Sequence, residues 1–285
     1  MNTRGIFSIN DVGHLRKEGH LVITLRDPAF SKSKVEAIQQ GLNLFETIGP
    51  DLEDAFNMHR DNKDKDKDPR LLQGLFKKAQ DAMVQCNFVD FTDGRMDDYV
   101  QIMQVKNLDC RAFLLAMEKL NTLAHTHITD LGRMLDTFIK RAISRGELES
   151  PRYSIAELLQ HPRMKTITSA TCYRAQSESE LTSARPNTAA FAIYWLATNP
   201  GMCVIDKDGH PHPLSMVETD PERVVIIPGT QLARATNKLI HASKHPIFPK
   251  TEGAKRFTLR TFIYFSQEHM NCLVRDTPTD DILMI

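Results

Sequence analysis

The chain has 285 residues, 41% of them hydrophobic and 25% charged, the balance of an ordinary soluble globular protein. Its 36 Lys and Arg equal its 36 Asp and Glu, so no global field favours nucleic acid or an anionic membrane, and neither is expected as a partner. No apolar run approaches the ~20 residues that span a bilayer, and residues 1–20 lack the apolar stretch of a signal peptide. The 5 cysteines are scattered singly without Cys-x-x-Cys spacing, which argues against a disulfide framework and a structural zinc site. A reducing, cytoplasmic setting is expected, with delivery into another cell left open.

In chain order, residues 9–17 read as a charged helix and residues 19–25, GHLVITL, as a short buried strand. Residues 33–56 place Val35, Ile38, Leu42, Leu44 and Phe45 near helical spacing, with Ser31 or Ser33 as N-cap. Residues 61–68, DNKDKDKD, have no apolar face and read as a surface loop; the Gly and closing Glu of a calcium loop are missing. A second helical pattern covers residues 71–84. The longest, 109–143, carries Phe113, Met117, Leu120, Leu123, Ile128, Leu131, Leu135 and Phe138 in one stripe. His125 and His127 are two apart on it and point in different directions, so they cannot chelate one metal. Gly146 and Pro151 end the helical region.

Beyond residue 154 the pattern changes to β-branched and aromatic runs at 166–173, 188–196, 202–205, 223–227 and 257–265, separated by turn signals such as Asn199-Pro200-Gly201. Strands at this spacing suggest a barrel or sandwich. The expectation is one domain over residues 1–285, mixed α and β, in which mainly helical residues 1–150 pack on a β core formed by residues 151–285.

Residues 223–265 carry the most specific pattern: a strand, Gly229, Leu232, the pair Thr236-Asn237, His245 eight residues after the Asn, then Arg256-x-Thr258 on the next strand. This resembles the isopenicillin N synthase-like, 2-oxoglutarate-dependent iron(II) dioxygenases. The resemblance implies a double-stranded β-helix (jelly-roll) core with helices packed on it. It also implies that His245 matches a metal-binding histidine, and that Arg256 and Thr258 match the clamp that grips the 2-oxoglutarate carboxylate. Tyr173 matches a tyrosine that assists the clamp, while Thr171 departs from the family's Asn.

The family also has a His-x-Asp/Glu upstream. Aligning on the following strand puts Arg185-Pro186-Asn187 there, and no His occurs between His161 and His210. Iron(II) oxygenases of this type need two imidazoles and a carboxylate on one face of the metal. A guanidinium only donates and stays charged, so Arg185 opposes a cation, and Asn187 offers at most a neutral oxygen. The expectation is a degenerate metal site with His245 as its remnant, and a non-catalytic binding or interaction protein whose pocket takes 2-oxoglutarate or another small anion, or whose surface takes a protein partner. Arg185 facing the barrel mouth would favour such an anion; as a strand-end cation in water it would not. Arg260, two residues past Thr258, should point the same way, to add to the clamp or to replace it.

Alternatives remain: an iron oxidoreductase acting on a small molecule through His245 with His210, His212 or a loop acid, or a metal-free catalyst. His210 and His212 also read simply as exposed turn residues. Trp195, the only Trp, reads as core or as a pocket wall. No Ser/His/Asp order or nucleotide-binding Gly loop supports acyl transfer or nucleotide chemistry.

Overall fold

A computed structural model describes residues 7–24, 28–47, 74–77, 83–89, 111–173, 186–214, 217, 219–248, 256–266 and 268–271. Helices α1 (Ile9–Glu18), α2 (Pro28–Thr47) and α3 (Arg111–Ser144) come from the first half of the chain. A short α4 (Ile155–Gln160) and α5 (Thr230–Ala235) follow. The strands are β1 (Leu21–Thr24), β2 (Gly74–Lys77), β3 (Met83–Val89), β4 (Lys165–Tyr173), β5 (Phe191–Ala197), β6 (Cys203–Ile205), β7 (Pro211–Pro213), β8 (Arg223–Pro228) and β9 (Arg256–Tyr264).

Seven strands form one antiparallel sheet in the order β1-β8-β5-β9-β4-β3-β2. A second, smaller layer is built from the β6–β7 hairpin and isolated bridges that tie Pro186 and Ile205 to Lys244 and Met202 to Ile247. Side chains alternate across a strand, so each face of the large sheet has its own environment. Phe257, Leu259 and Ile263 of β9 join Phe191, Ile193 and Trp195 of β5 in a core shared with Met117, Leu120, Ile128 and Leu131 of α3. On the opposite face Ala192, Tyr194, Val225 and Ile227 pack with Met202 and Val204, and Phe262 lies against them. Space between the two layers is therefore reached from β9 by Arg256, Thr258, Arg260 and Phe262.

The expected helix 9–17, the edge strand at 19–25 and the long helix 109–143 are present, the strand as β1 paired to β8. Ser8 and Asp11 close α1 with a reciprocal capping box, and Gly19 ends it at φ 71°. Two expectations are corrected. Residues 71–84 hold no helix where they are described: β2 and β3 pair there and β3 continues onto β4. Short apolar runs fit either period, and pairing with β4 selected strand. The helix at 33–56 begins earlier, at Pro28, so Ser31 and Ser33 lie inside it and neither is its N-cap. Besides their helices, residues 1–150 supply β1, β2 and β3 to the sheet. The 61–68 run lies outside the described residues.

Candidate functional site

His245 follows Lys244, which pairs antiparallel with Pro186 on one side and Ile205 on the other. The segment at 186–187 therefore runs beside the segment carrying His245, the neighbourhood expected from the strand alignment. Arg185 lies outside the described residues. Asn187 is described, and its side-chain oxygen accepts from the Ala189 amide at 2.8 Å while its carbonyl accepts from Thr230 at 2.8 Å. Its amide group is thus turned to its own loop.

The His245 ring stands edge-on to Tyr194, centroids 5.8 Å apart, and Nδ1 donates to the Ser243 carbonyl at 3.2 Å. That bond leaves the lone pair on Nε2. Burial, and secondarily the Arg260 charge, push the imidazole pKa down to about 4, so the ring is neutral at physiological pH.

Arg256 is 1% exposed and donates to the Asn199 carbonyl. It faces between the layers, on the inward side of β9, rather than outward to solvent. Thr258 lies on the same side and pairs directly with Thr171 of β4. Both hydroxyls are buried and have no hydrogen-bond partner among the described residues. Tyr173 is opposite Arg256 in the same register. The two clamp positions on β9 and the tyrosine position on β4 are therefore brought together along adjacent strands. Arg260, opposite Ser169 and Tyr194, stacks its guanidinium 4.9 Å from the Phe262 ring centroid.

The remaining motif residues hold the chain that delivers His245. A Cβ at Gly229 would come within 2.1 Å of the Ala189 carbonyl oxygen and 2.8 Å of that of Asn187, so the close backbone approach there admits only glycine. Leu232 is fully buried in the helix-side core. Thr236 donates its hydroxyl to the Leu232 carbonyl at 2.9 Å and accepts from the Ile240 amide at 3.2 Å. Asn237 takes φ 48°, a left-handed conformation that Asn tolerates better than most residues.

His210 and His212 do not join His245. His212 places Nε2 3.0 Å from Asp206 and Nδ1 3.3 Å from Glu18, and His210 lies 3.5 Å from Asp206. Asp206, held well below the usual carboxylate range first by the His212 hydrogen bond, also caps the amides of Asp208 and His210. Asp206, Asp208 and His210 bring their ligand atoms within 4.8 Å of one another, in the turn between β6 and β7. Trp195 is core: 1% exposed, it donates to Thr261 at 2.7 Å on the helix side.

Iron(II) requires a second imidazole and a carboxylate beside His245. Among the described residues the charged group acting on its ring is Arg260, and the nine described strands contain no Asp or Glu. Among the described residues no cluster of three His, Cys, Asp or Glu ligand atoms includes His245. Sequence reasoning missed the Thr171–Thr258 pair as such, which only strand register reveals, and the reach of the Arg260 charge to His245.

No protein-family model matches the sequence, and no curated protein matches it. Solved structures do. A candidate oxygenase of Shewanella oneidensis superposes with a TM-score of 0.60 at 17% identity, over 99% of this chain and 98% of that one. The Arabidopsis thaliana dioxygenase for auxin oxidation, solved with 2-oxoglutarate, gives 0.64 at 13% identity over 92% and 91%. A Neurospora crassa protein solved with 2-oxoglutarate and 5-formyluracil gives 0.62 at 11% over 90% and 77%. With its large and small antiparallel layers and its helices on one face, the chain has the double-stranded β-helix fold of the 2-oxoglutarate/iron(II) oxygenases.

Proposed function

We propose that this chain is a binding protein on the oxygenase fold, holding a small carboxylate such as 2-oxoglutarate at Arg256 and Thr258 with a degenerate metal site at His245. The observation that carries the reading is the inward-facing row of Arg256 and Thr258 beside the Thr171 hydroxyl, which lacks a partner among the described residues. A guanidinium fork and a hydroxyl together suit a carboxylate. Tyr173, opposite Arg256, belongs to the same proposed site. Two fold relatives were solved with 2-oxoglutarate, which supports the ligand class. Arg185 and Asn187, at the positions where the family resemblance would require His and Asp, together with Arg260 beside His245, support the loss of iron chemistry. A cytoplasmic location belongs to the same reading. Among the described residues no helix is long and apolar enough to cross a membrane.

Protein purified without chelator is expected to carry substoichiometric iron by elemental analysis, to release no carbon dioxide from 2-oxoglutarate above background, and to bind 2-oxoglutarate by calorimetry in EDTA. Thr258→Val is expected to weaken that binding by about tenfold, the worth of one hydrogen bond to a charged group. Stoichiometric iron with turnover would replace this reading by that of an oxidoreductase with an unorthodox ligand set. Absence of carboxylate binding would remove the clamp.

A further inference from the structure

We infer that Asp206, Asp208 and His210, in the turn between β6 and β7, form a divalent-cation site of the zinc class, with His212 and Glu18 holding Asp206 from behind. The site uses none of the residues assigned above to carboxylate binding and stands independently of that reading.

The hairpin itself builds the site. The Asp206 amide donates to the His210 carbonyl at 3.0 Å, and Gly209 at φ 87° reverses the chain between them, so residues 206 and 210 face each other across the turn. One ligand atom from each of Asp206, Asp208 and His210 lies within 4.8 Å of the other two. Asp206 is already fixed in place. Its side chain is 9% exposed, Oδ1 accepts from the amides of Asp208 and His210 at 2.9 and 2.8 Å, and Oδ2 faces His212 Nε2 at 3.0 Å. Behind it, Glu18 of α1 lies 3.3 Å from the other ring nitrogen of His212. The end of α1 comes close enough that a Cβ at Gly19 would be 3.6 Å from the Asp206 Cα. Outer partners of this kind orient the ligands of a metal.

What the turn's own hydrogen bonds leave over points to a cation. A carboxylate oxygen has two lone-pair sites, and His212 takes one on Oδ2. The His210 Nδ1 stands 3.5 Å from the same oxygen without a hydrogen bond, and its ring has no hydrogen-bond partner among the described residues. Ligand atoms bound to a tetrahedral zinc at about 2.0–2.1 Å are about 3.3 Å apart, so this separation is that of two neighbouring ligands. Asp208 adds a second carboxylate to the same small space, and like charges so close repel unless a cation lies between them. Lys207 pairs with Asp208 at 3.5 Å, but both are exposed and such a pair contributes little. One imidazole and two carboxylates suit zinc with water in the fourth position; an all-oxygen set would suit calcium or magnesium.

The test is calorimetric titration of Zn(II) alone into the full chain, after EDTA treatment and removal of the chelator, on wild type, His210→Ala, Asp208→Asn and His125→Ala. His210 and Asp208 are exposed turn side chains, so neither variant removes core packing. His125, on the exposed face of α3, controls for zinc taken up by any surface histidine. Wild type is expected to bind Zn(II) stoichiometrically, His210→Ala and Asp208→Asn to bind it at least about tenfold more weakly, and His125→Ala to match wild type. Co(II) in place of zinc should give the visible d–d bands of a four-coordinate site in wild type and lose them in His210→Ala. No saturable Zn(II) uptake, or wild-type affinity in His210→Ala, overturns the site. A loss in His125→Ala as large as that in His210→Ala marks adventitious surface binding and overturns it as well. The 2-oxoglutarate measurements are made in EDTA, so failure of one reading is read separately from failure of the other.

Discussion

The Trp195 indole opens a chain of buried hydrogen bonds on the helix side of the sheet. It donates to Thr261 at 2.7 Å, Thr261 and Thr168 share a bond of 2.8 Å, and Thr168 donates to Asn121 of α3 at 3.0 Å. Starting from the indole, each hydroxyl accepts once and donates once, so the chain is fully satisfied and ties β5, β9 and β4 to the long helix. Thr261→Val keeps the side-chain shape but strands the indole N–H and one threonine acceptor. A loss of about 1–3 kcal/mol is expected in urea unfolding followed by the emission of this single Trp; a change below ~0.5 kcal/mol would show the network to be dispensable. At Gly229 the constraint is space rather than hydrogen bonding. Gly229→Ala is expected to lower stability by about 1–3 kcal/mol or to abolish folding, because the atoms in the way are backbone carbonyls that cannot rotate aside. Its unfolding midpoint reads this directly. Both Gly229 and the Thr236-Asn237 pair were legible in the sequence as motif residues; that their work is to shape the approach to His245 was visible only in the contacts.

Among the elements, α2 is anchored by a residue that no sequence pattern singles out. Lys34 is completely buried and donates to the carbonyls of Trp195 at 2.9 Å and Arg223 at 2.7 Å. Those carbonyls lie where β5 shifts register against β9 between Tyr194 and Leu196 and where β8 begins, so the ammonium supplies donors that the strand ladder does not. Burial pushes its pKa down to about 7, against a partial opposing effect of Asp220. The folded value thus lies below the unfolded one near ~10.4. Between those two values the unfolded chain binds more protons, so this group makes stability rise with pH from about 7 upward and contributes no slope below it. The slope reaches at most ~1.4 kcal/mol per pH unit. Chemical unfolding at pH values of about 7 and about 9 is expected to show wild type gaining on Lys34→Met across the window; parallel pH dependence in the two proteins would contradict it. The strands β2 and β3 show the opposite failure, since a helical spacing was present in residues 71–84 and pairing with β4 overrode it.

On the scale of the whole molecule, the first segment is integral to the sheet rather than an appendage. Phe7, Val12, Leu15, Leu21 and Ile23 are all buried in the helix-side core, and β1 covers the edge of β8. At about 1.5–3 kcal/mol for each buried side chain, their removal costs roughly 8–15 kcal/mol as an upper bound. Typical total stability is about 5–15 kcal/mol. A variant lacking residues 1–24 is therefore expected to show no cooperative transition in calorimetry, and a sharp transition near the wild-type midpoint would refute the role of β1. By itself the sequence determined the long amphipathic helix, most of the β-rich second half and the one-dimensional motif from Gly229 to Thr258, because periodicity and fixed spacings are local properties of a chain. Only the tertiary structure decided that residues 74–77 and 83–89 are strands, that Thr171 faces Thr258, that the Arg260 charge reaches His245, and that His210 and His212 turn away to Asp206 and Glu18. Each of these depends on strand register or on the meeting of segments far apart in the chain, where a slip of one residue reverses which side chains face inward.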